Sequence, residues 1–379
     1  MTAMRGIIKF RQLQRARGVT LVELLVAMVI SLIAITAIFQ VFSVFEGQKR
    51  TTMGGGEAQT NGALALFTLE RDLRQAGYGI NSTDYLGCNT LAWDDTTGTA
   101  FTLTFAPVQI TQGAGEAPDT LTVLYGNGNF IPQAVSLIQT MANDTNPYRV
   151  SNRFGFQEGD VLILAETGLN CSLSQATNLP NPLGQQDLVL HSNGNYTDPV
   201  TGINTQARYN KASGLGVVYT FNGRVFNLGQ QPSYNIYTVQ NGQLALQRML
   251  SAPSTAVTPI YDGIVQLQAQ YGRDTNADNI IDVFDEFVPA TAADWATILA
   301  VRIGVVSRSG LYEKTEVSPA TIKLWDDSAV APTTTGPVWT LTADERHYRY
   351  KVFQTVHDES FQFPVSSFQF SDPGSRFAL

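Results

Sequence analysis

The longest apolar run in the chain defines its first element. Residues 24–45, 22 positions in all, carry no formal charge and are interrupted only by Ser31, Thr36, Gln40 and Ser43. At about 1.5 Å rise per residue this predicts a helix of roughly 33 Å, enough to cross a hydrocarbon core of about 30 Å. Residues 48–56 (QKRTTMGGG) are polar and glycine-rich, which predicts a weak or melted stretch of helix. A helical period returns over 57–79. There Ala63, Leu66, Phe67, Leu69, Leu73 and Ala76 recur three or four apart, Glu70, Arg71, Asp72 and Arg74 lie mostly opposite, and Gly77 and Gly79 supply a stop.

From Thr96 the period falls to two. Phe101, Leu103 and Phe105 alternate with threonines, Leu121, Val123 and Tyr125 repeat the pattern, and 161–164 and 188–190 are short apolar runs bounded by turn residues. Asn222-Gly223 between VVYTF and RVFNL, and Asn241-Gly242 between NIYTV and QLALQ, predict two hairpins. Residues 263–271 and 346–356 read as further strands, and 294–307 as a short helix turning into a strand. No repeat recurs and no linker splits this region. The fold class is therefore α+β: one long helix, half transmembrane and half amphipathic, packed on a large antiparallel β-rich head.

Charge gives the helix a direction. Arg5, Lys9, Arg11, Arg15 and Arg17 precede the apolar run with no acid among the first 18 residues; of 24 bases 19 remain, against 32 acids, in the rest. The positive-inside rule keeps the leader in the cytoplasm and sends the acidic body outward. A formal charge of -8 argues against a nucleic-acid partner. A secretory signal peptide would have a shorter apolar region, about 7 to 15 residues. Length and charge fit a plain uncleaved anchor equally well, and Glu23 separates the two readings. A carboxylate moved toward hydrocarbon costs roughly 2.5 to 3.5 kcal/mol and calls for a cation at its depth. Cutting after Gly18 would create one, the α-amino group of Val19, which a neighbouring copy could offer to Glu23.

Gly18, Val19, Thr20, Leu21, Val22 and Glu23, behind a basic leader and ahead of an apolar helix, closely resemble the class III signal of type IV prepilins. The resemblance implies a membrane aspartyl peptidase that cuts after Gly18 and methylates Val19, with Glu23 as the assembly carboxylate; Val19 replaces the commoner phenylalanine. The LALQR hairpin tail, the acidic loop after Tyr271-Gly272 and the closing RHYRYKVFQTV resemble the PilW family of large minor pilins. These likenesses imply a leader (1–18), a transmembrane helix (19–46), its amphipathic continuation (47–79) and a periplasmic or extracellular head (80–379). They imply membrane lipid, prepilin peptidase, the inner-membrane assembly platform, other minor pilins and the major pilin as partners. The implied role is to help start pilus assembly at the tip, with the chain first in the bacterial inner membrane and then in the surface pilus. The alternatives are a type II secretion pseudopilin and a tethered adhesin using the Tyr- and Asn-rich region 196–237. Residues 82–210 resemble no family.

Candidate chemistry is sparse. Cys88 and Cys171, the two cysteines, both lie on the outward side and read as a disulfide whose closure restricts the unfolded chain by roughly 4 kcal/mol. His191, His347 and His357 are isolated, and no GxSxG, P-loop or dinucleotide motif is present, so no enzyme is expected. One loop suggests Ca²⁺: Asp274, Asn276 and Asp278 place oxygens at alternate positions, Ile280 offers a carbonyl, and Asp282 and Asp285 (or Glu286) follow, as in an EF-hand-like loop. Asn279 stands where glycine is usual, since asparagine tolerates a left-handed backbone. A solvated acidic turn is the plainer reading.

Overall fold

The computed structural model describes residues 19–128, 134–250, 256–325 and 336–358. The leader, including Gly18, lies outside them. The chain forms two compact units, Met1–Met53 and Gly54–Leu379, and helix α1 (Leu21–Leu73) contributes to both.

In the first unit the large apolar side chains of α1 from Leu21 to Phe45 are 50–77% exposed, and the most apolar window has a mean hydropathy of 2.7. A helix apolar all round is stable only against lipid or other helices. Its hydroxyls bond back to the helix: Ser31 Oγ donates to Ala27 O at 2.7 Å, Thr36 Oγ1 to Leu32 O at 2.7 Å and Ser43 Oγ to Gln40 O at 2.8 Å. That pairing lowers the cost of placing them in hydrocarbon.

The expected melting over 48–56 is not found, because α1 runs straight through it. At Gly54 the glycine serves packing: a Cβ there would lie 3.2 Å from Leu311 Cδ1. The same logic rotates the amphipathic stripe away from the one expected. The buried face of the Gly54–Leu73 stretch is Gly54, Ala58, Gly62, Ala65, Leu69, Asp72 and Leu73, whereas Ala63 is exposed and Phe67 is 63% exposed. Small residues let the helix backbone approach the head more closely than a phenylalanine would allow. A Cβ on Gly62 would lie 2.2 Å from the Phe353 ring. After Leu73 the chain turns, and Gly77 N donates to Leu124 O at 2.9 Å.

Three larger sheets build the described head. One runs Thr99–Phe105, Cys88–Asp94, Cys171–Gln175, Val161–Ala165, Arg224–Asn227, Val135–Ser136. All its neighbours are antiparallel except the second and third, which run parallel. Another runs Val257–Asp262, Gln243–Arg248, Ser233–Gln240, Thr120–Tyr125, Val108–Thr111. The last runs Val283–Asp285, Ile264–Arg273, Ile298–Arg308, Tyr350–Asp358.

Period-two alternation divides the apolar side chains between cores. In Val161–Ala165, Val161, Ile163 and Ala165 join Ala65, Leu69 and Leu73 of α1 in the main core, while Leu162 and Leu164 enter a second core with Tyr148, Val189 and Tyr219. A strand buried on both faces reads as a continuous apolar run, as VLILA does.

Asn241-Gly242 is the expected hairpin turn, with φ of 53° and 74° joining Ser233–Gln240 to Gln243–Arg248. Asn222-Gly223 is also a turn, but not a hairpin. Residues 217–220 form no strand, and Arg224–Asn227 pairs with Val161–Ala165 and Val135–Ser136. The last strand starts at Tyr350 rather than 346. Thr342 N donates to Glu345 Oε2 at 2.8 Å and Glu345 N to Thr342 Oγ1 at 3.3 Å, and Glu345–His347 forms a 3-10 turn. The helix-to-strand segment is found as expected, as Ala292–Ala296 followed by Ile298–Arg308.

Candidate functional site

The start of α1 is closed by a reciprocal cap. Thr20 N and Oγ1 donate to Glu23 Oε2 at 2.9 and 3.0 Å, and Glu23 N donates to Thr20 Oγ1 at 3.2 Å. This T-x-x-E arrangement satisfies amide groups that have no partner within the helix. Glu23 therefore has work to do inside one chain, a signal present in the sequence as Thr20 three residues before it. Val19 beside it is 70% exposed.

Farther along α1, the Gly54–Leu73 stretch is clasped by polar groups of the head. Asp72, 1% exposed, accepts from Tyr237 Oη at 2.5 Å and from Asn235 Nδ2 at 2.6 Å through the same oxygen. Burial, then the adjacent Asp72 charge, pushes the Tyr237 hydroxyl far above its usual range, so it stays a donor. Thr68 Oγ1 lies 2.8 Å from Tyr261 Oη, Asn61 Nδ2 donates to Asp262 O at 3.1 Å, and Ser307 Oγ donates to Ala58 O at 2.8 Å. Asp72 was expected on the exposed face. The available hint was its position, three after Leu69 and seven after Ala65, on the small-residue stripe.

Cys88 and Cys171 form the expected disulfide, with Cα atoms 5.9 Å apart and a sequence separation of 83. They open two parallel neighbouring strands, in which Thr90 faces Cys171. The bond thus fixes a long-range pairing within the six-stranded sheet. Replacing both cysteines by serine is expected to cost roughly 2–5 kcal/mol, on the order of 10 °C in melting temperature. Thermal melting of the oxidised protein and the double variant measures this, and equal midpoints would refute a stabilising role.

The acidic loop folds around its own amides. Asp274 accepts from the N–H groups of Asn276 at 3.0 Å, Ala277 at 2.7 Å and Asn279 at 2.7 Å. Burial raises its carboxyl, but these backbone donors outweigh burial and hold it below the usual range. Asn276 Oδ1 accepts from Asp278 N, and Asp278 Oδ1 from Ile280 N, at 2.9 and 2.8 Å. Asp282 accepts from Thr275 N and Oγ1, both at 2.7 Å. Asn279 adopts the left-handed backbone expected of it, with φ 62°. Asp285 is drawn away to Arg273, at 3.0 and 2.5 Å. Among the described residues no three His, Cys, Asp or Glu side chains gather as a metal-ligating group.

The histidines stay apart. His191 is stacked on Tyr148 at 3.9 Å, and His347 on Tyr312 at 4.6 Å. The side chain of His357 lies outside the described residues.

Two family models match the chain. Residues 13–39 match the prokaryotic N-terminal methylation motif, and residues 233–357 match PilW, the type IV pilus-assembly protein W. Together they support a type IV prepilin-like protein of the PilW kind. No curated protein and no solved structure matches it. The two matches support a membrane-anchored type IV minor pilin and point to a structural pilus component, which implies contact with other pilins and the pilus machinery in general.

The PilW match has a structural meaning. Asn235, Tyr237, Tyr261, Asp262, Ser307 and Phe353 all fall within 233–357, so the matched segment supplies the cradle in which the Gly54–Leu73 stretch lies. The six-stranded sheet and the second core fall outside the PilW match.

Proposed function

We propose that this PilW-like chain is made as an inner-membrane prepilin, cut between Gly18 and Val19, methylated on Val19 and built into a type IV pilus, where it helps initiate assembly at the tip. The observation that carries this reading is a carboxylate, Glu23, fixed in the first turn of a helix whose apolar surface is exposed among the described residues of its unit. Once the leader is removed, the amine of Val19 on one chain is the cation that Glu23 of the next requires. The N-terminus faces the cytoplasm before cleavage and the head faces the periplasm, in keeping with the basic leader. The PilW match favours the pilus over a type II secretion filament. Comparing wild type with Glu23 variants in membranes and in sheared pili tests this reading: the variants stay in the membrane and are depleted from pili. Unimpaired entry into pili would overturn it.

Calcium in the 274–285 loop is proposed separately, with Asp274, Asn276, Asp278, Ile280 and Asp282 as the oxygen donors. Support comes from alternate oxygens and a left-handed Asn279, the backbone such loops use at their sharp turn. Calorimetry is expected to show a higher melting temperature with Ca²⁺ than with chelator. Superimposable transitions would leave a loop held by its own amides.

A further inference from the structure

The part of the head outside both family matches contains a partly open cavity of about 240 Å³, built over residues 141–219. Its floor is the strand Cys171–Gln175. Cys171 and Leu173 of that strand belong to the main core, and Ser172 and Ser174, alternating with them, line the cavity. Ser172 and Ser174 are 5% and 4% exposed. Each pairs with a tyrosine: Tyr148 Oη donates to Ser174 Oγ at 3.1 Å, while Tyr219 Oη, with a single proton, lies 2.9 Å from both Asn170 O and Ser172 Oγ. Ser174 thus keeps its own proton to donate to whatever fills the space.

The rim is organised as well. Asp144 Oδ2 accepts from Gly216 N at 2.6 Å, tying the two loops that flank the opening. A Cβ on Gly214 would fall 2.0 Å from Asp144 Oδ2, and φ +75° there leaves the position to glycine. Among the residues lining the cavity, one acid, Asp144, is balanced by one lysine, Lys211, whose ammonium lies 5.2 Å from the Trp93 ring. His191 lies flat against Tyr148 and is held to Asn146 O at 2.8 Å; burial keeps it neutral, with its pKa pushed down to about 4.

These features select a class of occupant. A phosphate or other strong anion would meet one lysine, a neutral imidazole and an opposing carboxylate. An apolar ligand would leave buried hydroxyls unpaired, at a cost that disfavours it. A neutral ring bearing several hydroxyls can both accept from Ser174 and donate to the Asp144 carboxylate. At about 240 Å³ the space is large enough for several waters or one small polar ring.

We propose that this cavity binds a single neutral sugar residue, giving the head a carbohydrate-recognition site that does not depend on the pilus-assembly reading. Saturation-transfer NMR on the full chain in a detergent without a sugar headgroup tests it, with D-glucose, D-galactose, D-mannose and N-acetyl-D-glucosamine as probes and glycine as a comparator. At least one sugar is expected to receive saturation. Ser174→Ala is expected to weaken its binding about tenfold by removing one buried donor. Ala212→Trp, at an exposed position on the cavity wall, is expected to weaken binding at least as much without touching the core. Saturation of glycine alone, of no probe, or of a sugar equally in wild type and Ala212→Trp would each overturn the proposal.

Discussion

Asp72→Ala is expected to be the most damaging single substitution in the head. It leaves Tyr237 Oη, on a side chain 0% exposed, and Asn235 Nδ2, on one 4% exposed, without the oxygen that accepts from both. Removing one partner of a buried charged cluster costs about 2–5 kcal/mol, on the order of 10 °C in melting temperature for a domain of this size. Asp72→Asn should cost markedly less. Its amide oxygen can still accept from both Tyr237 Oη and Asn235 Nδ2 in the place of the carboxylate oxygen, with only the charge lost. Thermal melts of the two variants measure this: Asp72→Ala is expected to melt well below Asp72→Asn. If both match wild type, Asp72 does not fasten the helix to the head.

Glu23 is expected to show the largest effect on assembly, and two substitutions separate its two roles. Glu23→Gln can still close the T-x-x-E cap, because glutamine serves as well as glutamate in that box, yet it carries no charge. Glu23→Ala loses both cap and charge. If the carboxylate registers subunits by meeting a neighbouring amine, the two variants enter pili equally poorly. A loss of about tenfold or more is expected for breaking a desolvated charge pair. Both should remain in the membrane, since the apolar run is untouched. Wild-type levels of Glu23→Gln in sheared pili, with depletion of Glu23→Ala alone, would reduce the residue to a helix cap.

Much of this architecture is legible where one physical signal dominates locally. The apolar run of α1 declares itself by length and absence of charge, Asn241-Gly242 by the left-handed backbone its turn needs, and the cysteine pair by the compartment it faces. Signals that depend on distant partners mislead. Phe67 reads as core because it is large, yet the helix approaches the head on the small residues Gly54, Ala58, Gly62 and Ala65, and the phenylalanine turns outward. Asp72 reads as solvent-facing because it is charged, and its burial depends on Asn235 and Tyr237, more than 160 residues away. Asn222-Gly223 makes its turn, but the strand after it pairs with Val161–Ala165, a choice that local pattern cannot express. The candidate site divides the same way. The Thr20–Glu23 cap is a four-residue pattern, whereas the serine-lined cavity needs the strand Cys171–Gln175 and two remote loops brought together.

The most direct test is mass spectrometry of the chain's N-terminus, taken from membranes and from sheared pili of cells with active prepilin peptidase. The account predicts a mature chain beginning at N-methylated Val19 in both fractions. Recovery of the chain from pili with residues 1–18 still attached, or its absence from pili altogether, would contradict it.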